Sequence, residues 1–383
     1  MNFDLTTDQQ QVRDNVREFC EKEFAPRVSK WEEQGRVDRD AMSRLADLGY
    51  LGMSIPEEWG GLGYDAVTIA TVLEEIARIS AALAIMVAVH NSVGALPVYR
   101  WGTDAQRRRF LSRLVSRDLA AFCLSEPDAG SDAGAIQANA VRRGDHYVLT
   151  GTKNWVTNGD FAGIYIIFAR TEKAAGNKGL TAFIVERGSP GLHVGKHEDK
   201  MGLRGSDTVQ LSLEDLVVPA ENVLGKEGDG FKIAMMALDG GRIGVAAQAL
   251  GVARAAYEQA VRYAQVRQAF GTPLAQIQAV QFKLAGMARR VESARLLIQR
   301  AAWLKDRGRP FSREAAMAKL YASESAHWVT HQAVQVHGGY GYVKEYPVER
   351  LYRDARVMEI YEGASEIQRL VIARSLLKDG VGD

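Results

Sequence analysis

Near the C-terminus the chain reads M-E-I-Y-E-G-A-S-E-I-Q-R-L, residues 358–370, and Glu362 stands in it against a local rule. Upstream, Val348, Leu351, Tyr352, Ala355 and Met358 fall on one helical face, which predicts a helix over 345–361. Downstream, Ser365 and Gln368 have the spacing of a capping box opening a new helix. Glu362 therefore sits in a joint of about four residues between two helices. It lies at the negative end of the first helix, where an anion costs a few tenths to about 1 kcal/mol. A carboxylate so placed is either a general base or a solvated loop residue.

Four other segments carry residue types suited to a flat, phosphorylated ligand. The run A-F-C-L-S-E-P-D-A-G-S-D-A-G (121–134) leads a strand into a turn rich in Ser, Asp and Gly. Such a turn exposes N–H groups and hydroxyls to a heteroaromatic edge or a phosphate. In G-T-K-N-W-V-T-N-G (151–159), Trp155 and Thr157 fall on one side of a strand, where an indole can stack and a hydroxyl can bond. R-Q-A-F-G-T-P-L (267–274) sets an arginine beside an aromatic at a helix–helix turn. In Q-V-H-G-G-Y-G (335–341) paired glycines allow close backbone approach. Each alone is equally explained by an ordinary turn or a core tryptophan.

Other chemistries lack their motifs. There is no G-x-S-x-G elbow, P-loop or H-E-x-x-H. His327 and His331 are four apart on a helix but have no evident third ligand, so no metal site is expected. G-K-E-G-D-G (225–230) lacks the preceding strand of a dinucleotide fingerprint.

The elements that must position these residues change along the chain. Up to residue 118 the signals are helical, with capping boxes at Thr7/Gln10 and Thr103/Gln106 and a helix opened by Asp65. Arginines 107–109, 113 and 117 form a basic helix face, expected to be solvated. Between 119 and 228 short β-branched and aromatic runs such as I-Y-I-I-F-A-R (164–170) alternate with glycine turns. From 229 to 383 long helices return, expected near 231–266, 273–307 and 312–336. The fold class is thus α+β: an N-terminal helical domain, a middle antiparallel β barrel or sandwich, and a C-terminal helical bundle.

The chain has 383 residues, with 48 Lys plus Arg against 47 Asp plus Glu, so its net charge draws it neither to nucleic acid nor to an anionic membrane. Cys20 and Cys123 are too far apart in sequence to read as a metal-type pair. The start lacks a signal- or transit-peptide plan, and the apolar run 79–89 is too short to span a bilayer. A cytoplasmic protein is expected.

Taken together, in this order and spacing, the motifs resemble the acyl-CoA dehydrogenase family over essentially the whole chain. The half from L-D-G-G-R-I-G-V-A-A-Q-A-L-G to E-I-Y-E-G-A-S-E-I-Q-R-L-V-I-A is most similar to the short-chain, butyryl-CoA branch. The resemblance implies FAD as cofactor, a homotetramer, an acyl-CoA substrate and electron-transferring flavoprotein as acceptor. Glu362 matches the family's catalytic base. Phe122, Leu124, Ser125, Gly130 and Ser131 match the flavin-lining segment, with Ser131 also near CoA. Trp155, Val156 and Thr157 match the segment that packs on the flavin. Arg267, Phe270 and Gln278 match positions that hold FAD across a subunit interface, as do Gln335, Val336, His337, Gly338 and Gly339. Ala364, Ser365 and Glu366 follow the base as further FAD contacts. Asp239, Gly240, Gly241 and Arg242 match the segment that grips CoA, and Tyr361 and Gly363 flank the thioester.

Some members carry the base near position 241 instead; here Gly241 is there and Glu362 is present. The sequence departs from the family pattern at Ala364 for Thr, Asp128 for Gly and His337 for an aliphatic residue. The alternatives are a medium- or branched-chain enzyme, an oxidase-like relative and a DNA-associated protein on the same scaffold.

Overall fold

The computed structural model describes residues 3–379. Seven helices come first: α1 (Thr7–Glu23), α2 (Val28–Gln34), α3 (Arg39–Asp47), α4 (Ala66–Ile79), α5 (Ala81–Val89), α6 (Leu96–Trp101) and α7 (Asp104–Leu114). The first capping box is one residue earlier than expected. Thr6, at φ −62° and ψ 163°, is the N-cap and pairs with Gln9. Two threonines in a row offer the same spacing twice, and only the one in extended backbone can cap. Thr103 with Gln106 and Asp65 with Thr68 cap as expected.

A π-helical stretch, His90–Ala95, joins α5 to α6, so the apolar segment runs unbroken from Ala81 to Trp101. By length and composition these 21 residues could cross a bilayer, longer than the sequence suggested, but 89% of their 18-residue apolar window is buried inside the protein.

The middle region holds β1 (Leu119–Cys123), β2 (Asn139–Arg143), β3 (His146–Thr157), β4 (Ala162–Arg170), β5 (Leu180–Glu186), β6 (Leu192–His197), β7 (Thr208–Pro219) and β8 (Val223–Leu224). They form one sheet in the order β6-β7-β3-β2-β4-β5-β8, with β1 alongside β4. The sheet is mainly antiparallel, but β1 runs parallel to β4, from Leu119↔Ala162 to Cys123↔Ile167. The β2–β3 hairpin intervenes between those two strands, so β1 meets β4 by a crossover rather than by a turn. Two register shifts interrupt β3 against β7, one of them between Lys153 and Val156.

The last region is α8 (Gly230–Val266), the two-residue strands β9 (Gln268–Ala269) and β10 (Thr272–Pro273), α9 (Gln278–Asp306), α10 (Ser312–His337), α11 (Val348–Arg356) and α12 (Ser365–Asp379). The helix expected over 345–361 is shorter: α11 is followed by a 3-10 turn, Val357–Glu359.

The N- and C-terminal helices share one core, in which α4 and α5 pack on α8; a second core lies around the sheet with α7. Glu75, 1% exposed, fastens the shared core: it takes Arg17 of α1 at 2.8 Å and Arg254 of α8 at 2.7 Å. The arginines of α7 are not a free basic face, since Arg109 and Arg113 both pair with Glu186 of β5. Cys20 and Cys123 are buried free thiols.

Candidate active site

Glu362 adopts φ 53°, the left-handed region, and Gly363 follows at φ 93°. For a non-glycine residue that backbone costs about 1–2 kcal/mol. The cost is met by contacts that fix the joint: Lys319 Nζ and Gln368 Nε2 each donate to the Gly363 carbonyl at 2.7 Å. Gln368 is thereby drawn away from the expected capping box, and the Ser365 hydroxyl is buried without a partner. The internal tether outweighs a local cap here because the Gln368 amide reaches both carbonyls of the joint, and that of Glu362, at 3.4 Å, has no other donor among the described residues.

The twist turns the carboxylate toward α8. A Cβ on Gly241 would lie 2.9 Å from Glu362 Oε2, 3.5 Å from Val93 Cγ1 and 3.6 Å from Ser92 Oγ. Oε2 is buried and accepts no hydrogen bond. Burial pushes the carboxyl up to about 7, opposed by the positive charges of Lys319 and Arg242. Lys319 is itself 0% exposed, and burial pulls its ammonium down to about 8. Lys319 carried no motif in the sequence; only the crossing of α10 over the joint brings it to Glu362.

Arg242, 6% exposed, pairs with Asp239, which also accepts from Ser312 Oγ at 3.0 Å. The Arg242 Nε is buried and unpartnered. Tyr361 donates to Gln248, whose amide donates to the Ala81 carbonyl at 2.7 Å. Its hydroxyl is thus committed to the core, not offered to a ligand.

The sheet supplies a second group. The register shift between Lys153 and Val156 puts Trp155 at φ 59° and leaves its indole 63% exposed. Val156 is 1% exposed within the sheet core, so only its backbone is available beside half-buried Thr157. Phe122 packs edge-on against Phe168 at 4.9 Å, and Leu124 is 8% exposed. The turn that follows, with Gly130 and Ser131 exposed, is anchored from inside. Lys153 Nζ pairs with Glu126 at 2.6 Å, and Glu126 accepts from the Gln137 and Ala138 amides. Asn158 follows directly on β3. Buried at φ 65°, it donates to Met86 O and Ala120 O and ties the end of β3 to α5 and β1.

The third group lies elsewhere on the chain. Arg267 and residues Val336, His337, Gly338 and Gly339 line an open groove of about 800 Å³ with Tyr263, Tyr340 and Tyr346. None of these residues lines the cavity beside Gly241. Phe270, at φ 55°, is 99% exposed at the β9–β10 turn, and Gln278 and Gln335 are exposed. The His337 ring stacks on Tyr263 at 4.2 Å and bonds Ala333 O at 2.8 Å, which leaves its backbone, not its ring, for a ligand. Beyond the base, Glu366 is exposed and Ala364 half-buried. His327 is paired with Glu359 at 3.0 Å, and no three His, Cys, Asp or Glu residues converge as metal ligands among the described residues.

A carboxylate with a raised pKa and exposed aromatic surfaces suited to a planar cofactor, in a helical, β, helical frame, fit the class of flavin-dependent oxidoreductases that the sequence resembles. Comparison with known proteins agrees. The models of the acyl-CoA dehydrogenase N-terminal, middle and C-terminal domains match residues 6–118, 121–216 and 228–377. The bovine mitochondrial short-chain specific acyl-CoA dehydrogenase is 49% identical over 98% of this chain and 92% of its own. The short-chain specific acyl-CoA dehydrogenase of Clostridium acetobutylicum is 44% identical over 99% of this chain and 100% of its own. The solved structure of butyryl-CoA dehydrogenase from Megasphaera elsdenii superposes with a TM-score of 0.97 at 47% identity, covering 99% and 100% of the two chains. The chain belongs to the acyl-CoA dehydrogenase family.

The cofactor of this family is FAD, and the residues present fit it. The Trp155 indole offers a stacking face, and Gly338, at φ 60°, has nothing within 4 Å of a Cβ position. The orphaned Ser365 hydroxyl is a further polar group without a partner in the chain.

Proposed function

We propose that Glu362 removes the Cα proton of a short-chain acyl-CoA thioester during its conversion to the trans-2-enoyl-CoA. The observation that carries this reading is the enclosed Glu362 carboxylate, raised to about 7 and facing the space left by Gly241. A base so tuned is half ionised near neutral pH and holds the proton once taken. Flavin, when bound, supplies the two-electron acceptor for the Cβ hydride that no side chain offers.

The chain's own residues do the rest. The Glu362 N–H donates to no group among the described residues, so it is available to polarise the thioester carbonyl. A preorganised donor of this kind is worth about 3 kcal/mol in the transition state. Gly363 flanks the thioester, Asp239, Gly241, Arg242 and Ser131 hold the CoA arm, and Gly240 borders the acyl end. Phe122, Leu124, Ser125, Gly130, Trp155, Val156 and Thr157 bind the flavin end of FAD, with Ala364, Ser365 and Glu366. Arg267, Phe270, Gln278 and Gln335 to Gly339 face away from this site and complete it in a partner subunit of a homotetramer. Electrons leave to electron-transferring flavoprotein. This is supported by a solved chain of 46% identity and TM-score 0.98, whose structure is described as an electron transferring flavoprotein of Acidaminococcus fermentans.

The test is anaerobic mixing of the yellow holoenzyme with butyryl-CoA. The native flavin is expected to bleach and that of Glu362→Gln to bleach slower by about 10³-fold or more. Near-native bleaching in the variant would refute the assignment. Hydrogen peroxide released in air would mark an oxidase instead.

A further inference from the structure

Beside Gly241 lies a small cavity of about 30 Å³, room for about two waters or one carboxyl group. Most of its wall is apolar, including Ile69, Leu73, Leu96 and Ile243. Lys305 and Ser54 line it too, and neither is satisfied within the chain. Lys305 has no hydrogen bond or ion pair among the described residues. Its neighbour Asp306 is engaged instead with the amides of Ala66 at 2.7 Å and Val67 at 3.4 Å. The Ser54 hydroxyl is buried without a partner. The other polar groups of the wall are spoken for: Asn91 bonds Met53 N and Tyr50 O, and Ser92 donates to Ala88 O.

Gly240 leaves the ammonium uncovered, since a Cβ there would lie 3.5 Å from Lys305 Nζ. The cavity also borders the base. Ser92, part of its wall, is 3.6 Å from the Cβ position of Gly241, which is 2.9 Å from Glu362 Oε2.

A half-buried ammonium with no hydrogen-bonded or ion-paired partner, and only the charge of Asp306 nearby, is costly to keep, and a ligand that brings an anion into contact lowers the cost. We propose that this cavity is a subsite for a carboxylate at the far end of a short acyl chain, held by the charge of Lys305 and a hydrogen bond from Ser54. The substrate class then includes mono-CoA thioesters of short dicarboxylic acids. The proposal rests on the dehydrogenase reading above and alters none of its bonds. The Cα proton passes to Glu362, the Cβ hydrogen leaves as hydride to FAD, a Cα–Cβ double bond forms, and the distal carboxylate is retained. Burial lowers the Lys305 pKa, with Asp306 opposing; a bound carboxylate would act in the same sense as Asp306.

Glu362→Gln holoenzyme binds thioesters without consuming them, so calorimetry can compare glutaryl-CoA with pentanoyl-CoA, an uncharged chain of equal length. Glutaryl-CoA is expected to bind at least about tenfold more tightly. Adding Lys305→Met, or Ser54→Asp to set an internal carboxylate against Lys305, is expected to reduce that preference to about threefold or less. A ratio at or below one before those changes, or a ratio that survives both, overturns the subsite. Bleaching of native enzyme by butyryl-CoA separates the two readings. An enzyme that bleaches but ignores the distal carboxylate loses the subsite alone; one that bleaches with no thioester loses the subsite and the function together.

Discussion

The missing side chain of Gly241 and the carboxylate of Glu362 compete for one position: a Cβ at 241 would stand 2.9 Å from Glu362 Oε2. Helix α8 and the joint before α12, distant in sequence, thus face the same point. A base can be supplied from either side, but not from both at full size.

This makes the base transferable. Glu362→Gly is expected to lower kcat by about 10³-fold or more, and the double variant with Gly241→Glu to recover at least about tenfold of that loss. Single-turnover flavin bleaching with butyryl-CoA measures both. Failure of the double variant to exceed the single one would show that the shared position does not serve proton transfer.

Lys319 is expected to set the working range of Glu362. Its charge lowers the Glu362 pKa against the pull of burial. In Lys319→Met that opposition is gone, so the carboxyl rises above about 7. The reactive form is the carboxylate, so the acidic limb of the kcat/KM profile moves to higher pH, by about one unit. Lys319→Arg, which keeps the charge, is expected to restore most of the profile. An unmoved limb in Lys319→Met, with kcat merely reduced, would reduce Lys319 to a structural tether.

Glu75 is expected to dominate the stability of the shared helical core. Burial would raise its pKa, but Arg17 and Arg254 outweigh that and hold it below 4.5. A carboxylate lowered in the folded state contributes stability above its unfolded pKa and loses it as pH falls through the folded value. Glu75→Ala leaves Arg17 without a carboxylate and removes one of the three that surround Arg254, and is expected to cost about 3 kcal/mol at pH 7. The midpoint of urea unfolding checks the loss, and its difference from the native enzyme should shrink as the pH falls below the carboxylate range.

Trp155 holds a backbone conformation that glycine adopts freely, at φ 59°. Trp155→Gly therefore removes the indole while relieving the turn. The protein is expected to stay folded but to lose FAD at least about tenfold more readily, as stacking on an aromatic face is worth about 1–3 kcal/mol per ring. Fluorescence of FAD released on dilution reads this directly. Unchanged retention would place the indole outside the cofactor's contact surface.

The two long outer helices of the last region, α8 and α10, were legible to within about a residue because their apolar spacing and flanking glycines and prolines are local signals. Trp155, Glu362 and the 267–274 turn stood out for residue type and spacing. What escaped was whatever depended on contact across the fold. The β1–β4 parallel pair and the buried Lys153–Glu126 and Lys319–Gly363 contacts join residues 27 to 44 positions apart, and Lys305 belongs to a cavity wall with no sequence pattern.

By itself the sequence determined the order of helical, β and helical regions, the presence of a carboxylate at a helix joint and the absence of a rival at 241. Those follow from periodicity and residue identity, which act over a few neighbours. The tertiary structure alone decided that the joint turns through φ 53°, that Lys319 and Gln368 hold it there, and that Glu362 Oε2 is buried beside Gly241 without a hydrogen bond. Burial and proximity set the reactivity of Glu362, and both are properties of chain segments brought together from opposite ends of the molecule.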